Sequence, residues 1–94
     1  MKTYTIAHIE ERGVSIIIIP FDPSFGKMSR NKQNKIMDEL QIYAQNSGIS
    51  GTVVPVWPIG KNHGFIAPPK WHPFFKKLSW DEIMSLINKE IEGL

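Results

Sequence analysis

The sequence predicts an α+β fold, a two-layer sandwich in which a four-stranded, mainly antiparallel sheet carries two helices on one face. Three observations lead to it: β-branched and aromatic segments occur in two pairs, a Gly-containing turn joins each pair, and a segment with helical spacing follows each pair. The order ββαββα folds most simply into two layers. The length of 94 residues suits one globular domain over residues 1–94.

The first two strands are predicted to form a hairpin. The segments 3–9 and 14–19 are rich in β-branched residues, and Gly13 between them can adopt a positive φ. Four consecutive isoleucines, Ile16 to Ile19, leave no face for water, so this strand should be central. With both helices on one face, the other face needs a cover, and we expect a second copy of the chain to provide it.

The first helix should begin near Ser29 and end at Ser47 and Gly48. A glycine just past a helix end commonly takes the left-handed conformation. The second half of this helix has a stripe of apolar residues at helical spacing, namely Ile36, Leu40, Tyr43 and Ala44.

The second half of the chain predicts a less regular hairpin and a terminal helix. The strand 52–57 contains Pro55, which cannot donate a ladder hydrogen bond, so we expect an edge position or a bulge there. A turn over residues 60–64 leads into a strand at 65–67, and an ordered, non-repetitive connection spans 68–78. Ser79 and Glu82 match a capping box. One apolar helix face follows, made of Trp80, Ile83, Met84, Ile87 and Ile91.

Composition excludes several classes of protein. The absence of cysteine excludes disulfides, thiolate nucleophiles and thiolate metal sites. The first residues lack the apolar core of a signal peptide, and the longest apolar run, Ile16 to Phe21, is far shorter than the roughly 20 residues that span a bilayer. We therefore expect a cytoplasmic protein with no membrane partner. A net charge of +2 is mild for a dedicated nucleic-acid binder.

The candidate functional segment runs from Trp57 to Lys77 and is called the aromatic-basic segment below. Rings that alternate with cations on a proline-stiffened backbone suit recognition of a protein or of single-stranded nucleic acid better than catalysis. We expect Trp71 to be exposed, because it follows two prolines and lies between Lys70 and His72. The alternative is that the rings fill the end of a small core. The predicted contact surface consists of Trp57, His63, Lys70, Trp71, His72, Phe74, Lys76 and Lys77.

No pattern predicts catalysis, a cofactor or a metal. The spacing of His8, His63 and His72 matches no metal-binding motif. Gly26 and Lys27 lead into a helix, but the first glycine and the final Ser or Thr of a phosphate-binding loop are missing. Acidic pairs fall on turns and exposed helix faces, and no serine lies in a nucleophile motif. A small enzyme with a pocket around His63 and His72 is the least favoured alternative.

A second group of cations surrounds the start of the first helix and is called the basic helix end. Backbone donors at a helix N-terminus attract anions, so a weak nucleic-acid-binding protein is the alternative function. The simpler interpretation is a solvated charged helix end. The group consists of Lys27, Arg30, Lys32 and Lys35.

Two segments, Gly51 to Trp57 and Gly64 to Phe75, together resemble small uncharacterised bacterial proteins, among them proteins encoded on the mobile gene cassettes of integrons. The resemblance contains no catalytic motif and assigns no functional residue. It implies an accessory protein with no known activity. Together with the residue patterns, it leads to our main hypothesis, a non-catalytic binding or accessory module that acts through the aromatic-basic segment, either as a homodimer or with a protein partner.

Overall fold

The protein folds around one five-stranded mixed sheet. The computed structural model describes residues 2–11 and 13–93. The strands are β1 (Lys2–Glu11), β2 (Val14–Pro20), β3 (Thr52–Ile59), β4 (Asn62–Phe65) and β5 (Lys89–Gly93), in the spatial order β4-β3-β2-β1-β5. The helices are α1 (Arg30–Asn46), α2 (His72–Lys77) and α3 (Trp80–Ser85), and 3-10 turns occupy Pro23–Lys27 and Pro69–Trp71. Within the described ranges, no helix is long and apolar enough to cross a membrane.

The α+β class is confirmed, but the prediction of four mainly antiparallel strands is wrong in its details. A fifth strand, β5, pairs with β1, and β2 pairs with β3 in parallel, with Ile17 opposite Val53. The parallel pair arises because α1 lies between β2 and β3 along the chain. A crossover helix returns the chain to the end at which β2 began, so β3 runs in the same direction as β2.

The first hairpin is confirmed. Strands β1 and β2 pair antiparallel with Ala7 opposite Ile18, and Gly13 in the turn has a φ of 76°. All four isoleucines of β2 are fully buried, and β2 lies between β1 and β3 as expected for a central strand.

Helices cover both faces of the sheet, which corrects the expectation that both lie on one face. Helix α1 packs through Leu40 and Ala44 against one face, where Ile17 and Ile19 of β2 are buried. Helices α2 and α3 pack on the other face, where Ile16 and Ile18 are buried. The chain itself therefore supplies the cover that we expected from a second copy, and the argument for a homodimer from an open sheet face no longer holds.

The terminal helix begins as predicted but ends early. Ser79 Oγ accepts a hydrogen bond from Glu82 N at 3.1 Å, and Glu82 Oε1 accepts one from Ser79 N at 3.0 Å, so the capping box is formed. The helix stops at Ser85, and the chain continues into β5. Ile91 is consequently on a strand and is buried on the α1 side of the sheet, not on the helix face that we predicted. The free edge of β1 supplies the hydrogen-bonding partners that favour a strand here.

Pro55 lies on β3, which is an interior strand next to the edge strand β4. The carbonyl of Pro55 accepts a hydrogen bond from Ile66 N at 3.1 Å, just past the end of β4 at Phe65. Because the nitrogen and carbonyl of one strand residue face the same side, the missing donor of Pro55 also faces Ile66. Pairing with β4 therefore ends at Pro55. The prediction of an edge position or a bulge is wrong, because β3 is interior and its register with β2 continues without interruption from Thr52 to Val56.

The predicted bounds of the first helix are confirmed. Ser29 caps α1 by accepting a hydrogen bond from Lys32 N at 3.3 Å, and Gly48 after its last turn has a φ of 75°. The first half of α1 is polar because nearly all of its side chains are exposed to solvent, and its one buried side chain is also polar. Gln33 is buried and donates from Nε2 to Phe25 O at 2.8 Å, which attaches the start of α1 to the 3-10 turn before it.

Candidate functional site

The aromatic-basic segment separates into an inner apolar side and an outer charged side where it forms the 3-10 turn and α2. Trp71 and Phe75 are buried, with Trp71 only 6% exposed, while Phe74 and Leu78 are half-buried. The prediction that Trp71 is an exposed anchor is therefore wrong. Spacings of three and four residues place these side chains on one face of a helical turn, and that face packs on the sheet.

The rings of this segment form a contiguous aromatic layer against the sheet. Trp71 and Phe74 meet edge to face with centroids 5.4 Å apart, and Phe74 and Phe75 do so at 5.2 Å. Phe75 also stacks on Phe65 of β4 at 5.1 Å. Trp71 and Phe75 therefore serve the core, as the alternative interpretation of the rings proposed.

His63 and His72 hold this layer in place. Both rings lie beside Phe65, with centroids 6.1 Å and 5.3 Å away. Nε2 of His63 donates to Phe75 O at 2.9 Å, and Nε2 of His72 donates to Ala67 O at 3.0 Å, since a carbonyl oxygen can only accept. Each half-buried imidazole thus joins two segments of the chain through a hydrogen bond to a backbone carbonyl oxygen.

His8 lies apart from the other two histidines, on β1. Its Nε2 donates to Ser50 O at 2.8 Å, and its Nδ1 lies 3.4 Å from Lys89 Nζ. Among the residues that the structure describes, no group of three or more His, Cys, Asp or Glu side chains is placed to hold a metal ion.

Two adjoining grooves lie beside α2. One has a volume of about 560 Å³ and an apolar floor formed by Val14, Trp71, Phe74 and Leu78. The other, of about 450 Å³, lies between β4 and the end of α2 and is lined by Asn62, His63, Phe65, Ser79 and Glu82 in addition to lysines. Lys77 and Leu78 line both grooves. Four exposed lysines, called the lysine cluster below, border the pair of grooves: Lys61, Lys70, Lys76 and Lys77.

The lysine cluster has little balancing negative charge nearby. Across residues 2–11 and 13–93, none of its ammonium groups is paired with a carboxylate. Glu82 is the one carboxylate that lines either groove, and it is engaged in the capping box. The sequence analysis missed Lys61 as a site residue. The sequence carries a signal for it, because the stretch from Leu40 to Trp80 contains four lysines and no acidic residue.

Trp57 lies on the other side of the sheet from the lysine cluster. It contacts Phe25, with ring centroids 5.2 Å apart, and its indole lies against the backbone of Gly26 and of its cross-strand partner Gly64. Strand residues alternate between faces, so Trp57 shares the face of Val53 and α1, whereas Val54 and Val56 face α2. The structure thus separates Trp57 from the other residues of the predicted contact surface.

A third groove, of about 550 Å³, lies beside Trp57 and is lined mainly by Pro23, Pro58 and Ile59, with Ile59 54% exposed.

Asp22 caps the 3-10 turn that forms one wall of this third groove. The Ser24 hydroxyl and backbone N–H both donate to the Asp22 carboxylate, and these hydrogen bonds lower the pKa of Asp22 from its usual value.

The basic helix end is exposed and does not form one surface. At about 3.6 residues per turn, Arg30 and Lys35 point about 140° apart around α1. The side chains of the group are all exposed, and of the four only Lys27 lines one of the three grooves described above. Their arrangement fits a solvated helix end better than a nucleic-acid site.

Comparison of the chain with protein-family models, with curated proteins and with solved structures gives no match. The resemblance to cassette-encoded bacterial proteins therefore stays a prediction, and the candidate site rests on the geometry of the lysine cluster and its two grooves.

Proposed function

We propose that the protein is a non-catalytic binding module that recognises an acidic segment of another protein through the lysine cluster. The observation that carries this proposal is the set of four unpaired lysines around two adjoining grooves, one of which has an apolar floor. Unpaired like charges in one place repel one another and attract an anionic partner. An acidic protein segment supplies carboxylates for the lysines and apolar side chains for the groove.

A protein partner fits this surface better than single-stranded nucleic acid. Recognition of single strands uses exposed aromatic rings on which bases stack. The large hydrophobic residues that are exposed in the described ranges are Ile42 and Ile59, and neither is aromatic. Of the Trp and Phe rings that line the two grooves, Trp71 is buried, and Phe65 and Phe74 are half-buried and not exposed.

A partner of different sequence also fits better than self-association through this surface. A two-fold symmetric contact places the same patch of both copies face to face. Here it would oppose the two lysine clusters, and like charges across an interface are unfavourable. The homodimer of the sequence-based hypothesis would therefore have to use another part of the molecule.

The proposal is tested by measuring, with fluorescence anisotropy, the binding of a short labelled peptide in which Glu alternates with Val. The double variant Lys76→Glu/Lys77→Glu should weaken binding by about tenfold or more, because an ion pair near 4 Å in water contributes about 1 kcal/mol. Binding to the unmodified protein should also weaken as the salt concentration rises.

The matched control is Lys32→Glu/Lys35→Glu, which makes the same change in net charge on α1. This control should bind the peptide as the unmodified protein does. Equal losses in the two variants would mean that only net charge matters, and this would contradict the proposal.

A labelled single-stranded oligonucleotide serves as a second probe. Tighter binding of the oligonucleotide that is lost in the control variant would support the basic helix end instead.

A further inference from the structure

The outer edge of β4 offers unpaired backbone groups beside the lysine cluster. Strand β4 is the end of the described sheet, and it has β3 on one side only. Ile66 N donates to Pro55 O, so the polar groups of Ile66 face β3. Backbone groups alternate along a strand, so those of Gly64 and Asn62 also face β3, and those of His63 and Phe65 face outward. An exposed edge of this kind is a template for another strand.

The 450 Å³ groove runs along this edge. Its lining combines β4 residues His63 and Phe65 with Lys76 and Lys77 at the end of α2. The hydrogen bond from His63 Nε2 to Phe75 O holds the end of α2 beside β4, so the distance between the edge and the lysines is set by the fold. Lys61 in the β3–β4 turn adds a third cation at the end of the same groove.

We infer that this groove binds its acidic partner as an added β-strand, which pairs with the outer edge of β4 and directs carboxylates toward Lys76 and Lys77. Strand addition combines backbone hydrogen bonds, which provide affinity, with contacts to alternate side chains, which provide specificity. Side chains on one face of a strand are spaced by about 7 Å, so a segment with an acidic residue at every second position presents all its carboxylates to the lysines.

Charge complementarity favours this occupant over another copy of β4. Strand addition between two copies of β4 would bring the lysines of both copies together, whereas an acidic strand neutralises them. The lysines have a second possible role, since natural sheets also place lysine at edges to prevent pairing. The two roles predict opposite results with an acidic extended peptide. This inference rests on the proposed function and specifies its binding mode.

The test compares the Glu/Val peptide with a fully N-methylated version of the same peptide. Both carry the same carboxylates, but the methylated peptide cannot donate ladder hydrogen bonds. Methylation should weaken binding by about tenfold or more, because the methylated peptide loses its hydrogen bonds to the edge of β4.

Amide hydrogen exchange by NMR gives a second, residue-specific measurement. With the unmethylated peptide at about ten times its dissociation constant, exchange at the His63 and Phe65 amides should slow about tenfold, because only the free protein exchanges there. The Asn62 and Gly64 amides already face β3, so in the free protein they should exchange far more slowly than the His63 and Phe65 amides.

The outcomes separate the two proposals. Equal binding of both peptides, without slowing at His63 and Phe65, would overturn strand addition and leave recognition of acidic segments standing. Binding of neither peptide would overturn both. A loss on methylation together with slowing at His63 and Phe65 supports the inference.

Discussion

Gly64→Ala should destabilise the protein because the new methyl group would overlap the indole of Trp57. The two residues are cross-strand partners in β3 and β4, and a Cβ built on Gly64 lies 2.5 Å from both Nε1 and Cζ2 of that indole. Carbon atoms in ordinary contact are about 3.5–4.0 Å apart. The indole also contacts the backbone at Gly26, so it has little room to shift. Overpacking of this kind costs about 1–3 kcal/mol.

A double-mutant cycle with Trp57→Val isolates this overlap. The shorter valine keeps a strand-forming residue at position 57 but removes the indole. In that background Gly64→Ala should be neutral or should stabilise by about 0.4–1 kcal/mol, because alanine restricts the unfolded chain. The two positions should therefore show an interaction energy of about 1–4 kcal/mol, which is the difference between the effects of Gly64→Ala in the two backgrounds.

Urea denaturation followed by far-ultraviolet circular dichroism measures all four proteins of the cycle. The matched control is Gly60→Ala in the same hairpin, where φ is 54° and no atom lies within 4 Å of the added methyl group. The loss of stability caused by Gly60→Ala comes from the backbone conformation, so it should be the same with Trp or Val at position 57. If Gly64→Ala also costs the same in both backgrounds, the overlap with the indole is not its cause, and the reasoning fails.

Two further substitutions test the core and the helix cap. Trp71→Ala should lower the free energy of unfolding by roughly 3–5 kcal/mol, as expected for a buried aromatic residue, and a stable variant that loses partner binding would instead restore Trp71 as an exposed anchor. Ser79→Ala should cost about 0.5–2 kcal/mol in the same denaturation experiment, because it removes the hydroxyl that accepts from Glu82 N. Unchanged stability would mean that this cap contributes nothing to the folded state.

Features encoded by neighbouring residues could be predicted correctly. The turn at Gly13, the bounds of α1 between Ser29 and Gly48, and the Ser79 cap all depend on residues a few positions apart. Their physical causes are local, since they lie in backbone conformation and in hydrogen bonds to adjacent turns. The burial of the β2 isoleucines could be predicted as well, because four adjacent apolar residues leave no face of a strand polar.

Features that depend on contacts between distant segments of the chain could not be predicted from the sequence. Ile91 continues the helical spacing of Ile83 and Ile87, yet it lies on β5, because the edge of β1 offers a ladder to the chain end. A repeating apolar spacing predicts that a residue will be buried, but it does not predict which distant strand will pair with the backbone of that residue.

The candidate site shows the same division. Charge alone favoured exposure of Lys70, Lys76 and Lys77, and they are exposed. Exposure of Trp71 was predicted from its polar neighbours in sequence, but the helical turn directs it toward the sheet, away from Lys70. Trp57 was grouped with these residues by proximity in sequence, and strand alternation placed it on the opposite face.

By itself, the sequence determined the α+β class, the first hairpin, the bounds of α1 and the charge of the segment around α2, because these properties arise from individual side chains and short-range backbone preferences. Only the tertiary structure decided that the sheet has helices on both faces, that the aromatic rings face inward, and that Lys61 joins the lysines of α2 beside the edge of β4. These properties arise from contacts between segments far apart in the chain, whose free energy depends on how all the segments pack at once.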